Sequence, residues 1–306
     1  MPVYYYILLL STSFLWAGNF IAGKYLVGYA SPLVLTELRW VIALIALLPF
    51  ILLKEKTLKF PKKALFPLIG MGLTGIVLFN LFMYLALTYT TADNVGLIST
   101  LNPIAIALLS FLFFKEKLSA QKYIAILISL IGIMIVLSHG DLQKLIQLKF
   151  NVGDIYMMIA VVCWGLYSIL GKVAMRTVSP FLSTFWSGMF GVIMIVPFIV
   201  KDLEITNPPP SFWVAALYTG VGATVLGMVF WNIGVKNVGS TTAGMFLNFN
   251  PIFTAALAYY FLGERMGVAQ WIGAIIVIIG VYLFTNEKLL SRLNLVGNKV
   301  VEKVPQ

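Results

Sequence analysis

The chain is poor in the side chains that do chemistry. It has one cysteine, Cys163, and one histidine, His139, and charged residues make up only 10% of its 306. A lone cysteine excludes an intrachain disulfide. A lone histidine leaves a histidine-based metal site, or a Ser-His arrangement, without its parts. Acids are also scarce, 11 in all, and Glu37 has no second acid near it within an apolar run with which to pair. Paired carboxylates or a cysteine beside a base are what an enzyme on such a chain would need. No catalytic residue, metal or cofactor is therefore expected.

What the chain has in excess is apolar surface. Hydrophobic residues are 60% of it, against roughly 45–50% in soluble domains. They fall in runs of about 20 residues, the length a helix needs to cross about 30 Å of hydrocarbon. Barrel strands would be half as long and alternate in polarity. The expected fold class is all-α and integral to the membrane, with ten transmembrane helices near 4–27, 33–53, 65–88, 93–114, 120–138, 154–175, 180–200, 212–235, 241–262 and 268–285. Met1-Pro2-Val3-Tyr4 supplies no basic start, so the first run reads as a span and not as a cleaved signal.

The net charge of +10 could suggest nucleic acid, but the charges lie in loops. Of the 21 Lys and Arg, fifteen fall in alternate loops and the C-terminal tail (Lys54 to Lys63, Lys115 to Lys122, Lys172, Arg176, Lys236 and Lys288 to Lys303). Five lie in the opposite loops, and Arg39 lies inside a run. Positive charge collects on the cytoplasmic side, which predicts a multi-pass protein of the inner (cytoplasmic) membrane with both termini in the cytoplasm. The partners expected are the lipid bilayer, whose anionic headgroups suit the basic loops, and a small molecule; nucleic acid is not one. Monomer and homodimer stay open.

The sequence repeats itself at an offset of 148 residues. Ser99-Thr100-Leu101-Asn102-Pro103 returns as Leu247-Asn248-Phe249-Asn250-Pro251. The same shift carries Trp16 onto Trp164, Lys24 onto Lys172, Ser31-Pro32 onto Ser179-Pro180, Pro49 onto Pro197, Gly72 onto Gly220, Glu116 onto Glu264 and Gly132 onto Gly280. Each half holds five spans. An odd number obliges the second half to enter the membrane from the other side, so two inverted five-helix repeats are expected: 1–139 and 154–286, with a connecting loop at 140–153 and a cytoplasmic tail at 287–306. Duplicated apolar halves with broken helices at corresponding positions are the pattern of a secondary transporter.

Polar residues then mark the spans that face inward. Trp16 and Asn19 share a helical face, as do Asn80 and Tyr84, Ser99 and Asn102, Trp164, Tyr167 and Ser168, and Phe246 and Asn250. An amide in hydrocarbon is costly without a partner or water, so these faces should meet inside the bundle. With Trp231 they form the candidate substrate-binding set. The aromatics, Trp186 among them, could cage a planar or cationic ligand or be ordinary packing. Trp213 and Trp271, near span starts, suit the interfacial belt. The fifth and tenth spans are apolar all round and belong at the lipid-facing periphery.

Pro103 and Pro251 each remove a backbone donor in mid-span and are the candidate hinges; lining of a substrate path and plain helix packing both account for the Asn-Pro pairs. Glu37 and Arg39, one to two turns inside the second span, are the candidates for coupling. They could carry a proton or hold a carboxylate, or they could snorkel to the headgroups. Between the aromatic walls and the Asn amides no buried net charge is expected to oppose a zwitterion. Glu116 and Glu264 would face the positive N-terminus of the next helix. Gly18 to Lys24 imitates the start of a phosphate loop, but Tyr25 stands where Ser or Thr would hold magnesium and no strand precedes it.

Taken together, these residues resemble the drug/metabolite transporter superfamily, and within it the EamA family: ten spans in two repeats, Trp in spans 1 and 6, Pro in spans 4 and 9, and closing acids at Glu116 and Glu264. The resemblance covers about 5–285. It implies export or exchange of amino acids and related metabolites, or of drugs, by alternating access, with a cavity between spans 1, 3, 4, 6, 8 and 9. Amino acids, aromatic ones included, are the expected cargo. The alternatives are a multidrug or lipid exporter and a partner-dependent permease subunit.

Overall fold

The computed structural model describes residues 2–138, 140–141, 151–200, 203–262 and 267–286. His139, Glu264 and residues 142–150 and 287–306, on which most of the expected connecting loop and the expected tail fall, lie outside the described residues. Among the described residues every regular element is helical apart from one isolated antiparallel bridge, Ala30 to Ile205.

In chain order the helices are α1 (Tyr4–Leu26), α2 (Pro32–Lys54), α3 (Lys62–Tyr89), α4 (Ala92–Ser99), α5 (Asn102–Phe114), α6 (Ala120–Ser138) and α7 (Val152–Ala174). They continue with α8 (Pro180–Ile199), α9 (Pro210–Val238), α10 (Ser240–Met245), α11 (Asn250–Leu262) and α12 (Val268–Thr285). Among the described residues eight helical runs, α4 and α5 counting as one, are long and apolar enough to cross a membrane. The chain is a multi-pass membrane protein.

Local chemistry sets the helix ends, and it recurs between the halves. Ser31 accepts from the Val34 amide at 3.4 Å with Pro32 in the first turn of α2, and Ser179 accepts from the Leu182 amide at 3.2 Å with Pro180 in the first turn of α8. A serine cap satisfies one orphan donor, and a proline in the first turn removes another. At the other end of α3, Lys24 Nζ donates to the carbonyls of Leu87 (2.6 Å) and Thr90 (2.9 Å), where the helix leaves acceptors unpaired.

Two helices are unwound in their middles. α3 runs as a π-helix over Gly72–Leu78 and α9 over Tyr218–Leu226. The second stretch contains the 148-residue image of the first. Such wide turns leave backbone groups displaced from the regular ladder, and they cluster at functional sites.

α6 and α12 lie against each other along glycines. A Cβ at Gly132 would come within 2.7 Å of the Gly273 carbonyl, and one at Gly280 within 2.8 Å of the Ser129 amide. Close backbone approach of this kind is how helices associate where lipid removes the hydrophobic drive. Their other faces, with Tyr123, Leu127 and Ile131 on α6 and Trp271, Ile275 and Tyr282 on α12, are exposed. The all-round apolar character of the two spans thus corresponds to one face for lipid and one for a partner helix. Asn248 ties the pair inward, donating to Ser129 Oγ at 2.8 Å.

Candidate functional site

The expected mid-span prolines do not kink continuous helices. α4 ends at Ser99, Thr100 and Leu101 close tight turns onto the carbonyls of Leu97 and Ile98 (both 3.0 Å), and α5 starts at Asn102 with Pro103 in its first turn. In the second half a 3₁₀ turn, Phe246–Phe249, separates α10 from α11, which begins Asn250-Pro251. The chain breaks before each proline, because the first helical turn is where a missing amide costs nothing. Any hinge therefore sits at the preceding turns and not at Pro103 and Pro251 themselves. Each break delivers an asparagine to the bundle interior. Asn102 and Asn250 are buried, and the Oδ1 of each has no hydrogen-bond partner.

These asparagines border a cavity of about 30 Å³, room for about two waters. Trp16 and Asn19 of α1, Arg39 of α2, Asn80 of α3, Ser99 of α4 and Trp164 of α7 line it with them, and Phe20, Trp40, Gly75, Phe79, Met157, Met228 and Leu247 complete the wall. Asn19 Oδ1 is a third buried acceptor without a partner. Tyr84, Tyr167, Ser168, Trp231 and Phe246 were expected here and do not line the cavity. Ser168 Oγ is spent on the Trp164 carbonyl (2.8 Å). Phe246 stacks on Tyr6, and its carbonyl accepts from Ser13 at 2.6 Å. Tyr167 bonds to Asn232, while Tyr84 is wholly buried beside the Arg39 guanidinium.

The family model for EamA-like transporters matches residues 3–138 and again 151–286. The chain belongs to the EamA-like transporter family. It is similar to the uncharacterized transporter YyaM of Bacillus subtilis (strain 168), 30% identical over 280 residues that cover 90% of this chain and 92% of that one. An uncharacterized transporter of Archaeoglobus fulgidus is 29% identical over 283 residues, 92% of this chain and 96% of the other. A protein of known crystal structure shares the fold, with a TM-score of 0.74 at 20% identity over 93% of this chain and 98% of that one.

In this EamA-like transporter the tryptophans do not cage an empty space. Trp16 meets Trp164 edge-on at 4.9 Å between centroids, Trp231 lies 5.6 Å from Trp16 and 5.5 Å from Trp164, and Tyr167 stacks on Trp164 at 4.9 Å. At such separations the rings fill the space between themselves. They form a plug beside the cavity, pinned where Trp16 Nε1 donates to the Ala223 carbonyl at 2.8 Å, inside the π stretch of α9.

The largest departure from expectation is Arg39. It does not snorkel: the residue is 5% exposed and lines the cavity. Nε donates to Thr224 Oγ1 at 2.5 Å and Nη1 to Asn80 Oδ1 at 3.0 Å. Both partners answer to the unwound helices, since Asn80 Nδ2 donates to the carbonyls of Gly75 (3.1 Å) and Ile76 (2.9 Å), and Thr224 Oγ1 donates to that of Thr219 (2.7 Å). One guanidinium thus bridges the π stretches of α3 and α9. The expectation of no buried net charge fails here. Glu37 is also buried, at 8% exposure, with Oε2 unpartnered.

Sequence reasoning missed Asn232, which donates to Tyr167 Oη and Thr184 Oγ1, each at 2.9 Å. The signal was present, because Asn232 is the 148-residue image of Tyr84. Away from the cavity Lys172 of α7 pairs with Glu116, a partner for that acid that the sequence reading did not name.

Proposed function

We propose that this protein carries small zwitterionic or amphipathic metabolites, amino acids and their relatives, across the cytoplasmic membrane by alternating access. Ten crossings, made by the eight long runs with α6 and with α10 and α11 together, are arranged as two inverted repeats, approximately 1–139 and 154–286. The observation that carries the reading is the set of buried, unpartnered amide oxygens on Asn19, Asn102 and Asn250 around one cavity. Two of them stand at helix breaks that correspond between the halves. Buried acceptors without a protein partner are costly unless water or a ligand meets them, and a ligand that supplies donors can take that place. The cavity of about 30 Å³ is too small for such a ligand, so it must widen to load.

The membrane orientation follows from the basic residues, with both termini in the cytoplasm. Lys299→Cys in a Cys163→Ser background is expected to react with an impermeant maleimide only after the cells are opened; labelling from outside intact cells would reverse the topology. Transport itself is tested with the purified protein in liposomes, following uptake of labelled amino acids with and without a pH gradient. Uptake by the protein alone supports a self-sufficient carrier, and an inert reconstituted protein would favour a subunit that needs a partner.

A further inference from the structure

Arg39 supplies a positive charge to the cavity that no carboxylate among the described residues balances. The residue is 95% buried; it donates to a threonine and an amide and lies beside the Tyr84 and Tyr218 hydroxyls, all neutral groups, and among the described residues no carboxylate forms an ion pair with it. Glu37, the nearest acid in sequence, leaves Oε2 without a hydrogen-bond partner. A buried charge held by neutral groups alone lacks the counter-ion that usually makes such burial tolerable. Ionisable groups at membrane depth mark the path of what is moved.

We infer that Arg39 is the anchor for a carboxylate on the transported molecule, and that the cargo is a small acid bearing an α-amino or α-hydroxyl group. This deepens the reading of the cavity given above and rests on it. Two neutral bonds fix the guanidinium by Nε and Nη1, which orients a planar fork suited to a carboxylate. Asn19, Asn102 and Asn250 line the same cavity and present acceptors and no charge. An α-ammonium or α-hydroxyl next to the carboxylate donates to them. A decarboxylated amine fits the amides but meets the bare cation of Arg39 with a charge of the same sign. The site therefore selects for the acid.

The bridge made by Arg39 also links cargo to conformation. The guanidinium holds Asn80 on α3 and Thr224 on α9, so a carboxylate bound to its remaining N–H groups acts on two π stretches at once.

The test uses wild-type protein in liposomes and three triplets of probes, alanine, leucine and phenylalanine, each with its α-hydroxy acid and its decarboxylated amine. Within at least one triplet both acids are expected to be taken up or to compete, while the amine is weaker by about tenfold to a hundredfold, the range set by one charge-assisted hydrogen bond. Arg39→Gln should remove that preference, and Arg39→Lys should keep its direction with reduced strength. An amine transported as well as its acid would overturn the role of Arg39 while leaving the transporter reading intact. If no member of any triplet moves, the reading of the cavity fails and this inference with it. The wild-type comparison stands even if Arg39→Gln does not fold.

Discussion

Trp16 shows why a single side chain can matter for both stability and transport. It lines the cavity, packs on two other tryptophans, and donates to Ala223, whose carbonyl lies in an unwound stretch of α9. Trp16→Ala removes the ring and orphans that carbonyl together, so it should cost about 3–5 kcal/mol and lower the thermal midpoint of the detergent-solubilised protein. Trp16→Phe should recover much of that loss. Asn102→Ala and Asn250→Ala differ in kind. Their side-chain oxygens have no partner to lose, so both variants should keep the wild-type melting midpoint and lose liposome uptake at least several-fold. Normal uptake by both would remove the asparagines from the path. Arg39 marks the limit of reading residues one at a time. Its position was visible as an ionisable group within a span, but its orientation depends on Thr224, 185 positions away, and no local pattern encodes that contact.

At the scale of elements, most helices were legible because each is a long apolar run opened by Ser-Pro or closed by polar residues, and the observed ends fall within about three residues of the expected ones. The irregularities were less so. A π turn depends on which carbonyl an amide selects, and only Gly72, Gly75, Gly220 and Gly222 hinted that α3 and α9 would loosen there. The helix breaks were expected at the prolines and lie before them, since a proline is comfortable in a first turn. The glycine contact of α6 with α12 gives the clearest prediction at this scale. Gly132→Leu and Gly280→Leu would each drive a side chain into backbone within 3 Å, and overpacking of this order costs about 1–3 kcal/mol. The melting midpoint should fall for both, whereas Ile275→Leu, on the exposed face of α12, should leave it unchanged. Equal midpoints in all three would mean that the pair is held by other contacts.

The two halves of the whole molecule differ at positions that the 148-residue repeat pairs with each other. Asn19, Thr36 and Tyr84 of the first half correspond at 148 residues to Tyr167, Thr184 and Asn232 of the second. The asparagine and tyrosine have changed places, so each half keeps one of each. In the second half the three are joined, with Asn232 donating to Tyr167 and Thr184. In the first half Asn19 Oδ1 is buried without a partner and Tyr84 lies beside Arg39 instead of bonding to Asn19, while Asn19 Nδ2 reaches only the Met83 sulfur at 3.8 Å. If the halves exchange conformations during transport, the link should exchange with them: Tyr84 donates to Asn19 in the opposite state, and the Tyr167 link opens. Tyr167→Phe then removes a bond of the form seen here, and Tyr84→Phe removes a bond of the other. One hydrogen bond is worth about 0.5–1.5 kcal/mol, a shift of about twofold to tenfold in the ratio of states. Single cysteines placed at either mouth of the cavity in a Cys163→Ser background would report it through their maleimide reactivity. Tyr167→Phe should raise reactivity at one mouth and Tyr84→Phe lower it there. Shifts in the same direction, or none, would mean that the asymmetry between the two triads is a matter of packing and that the halves do not trade places through it.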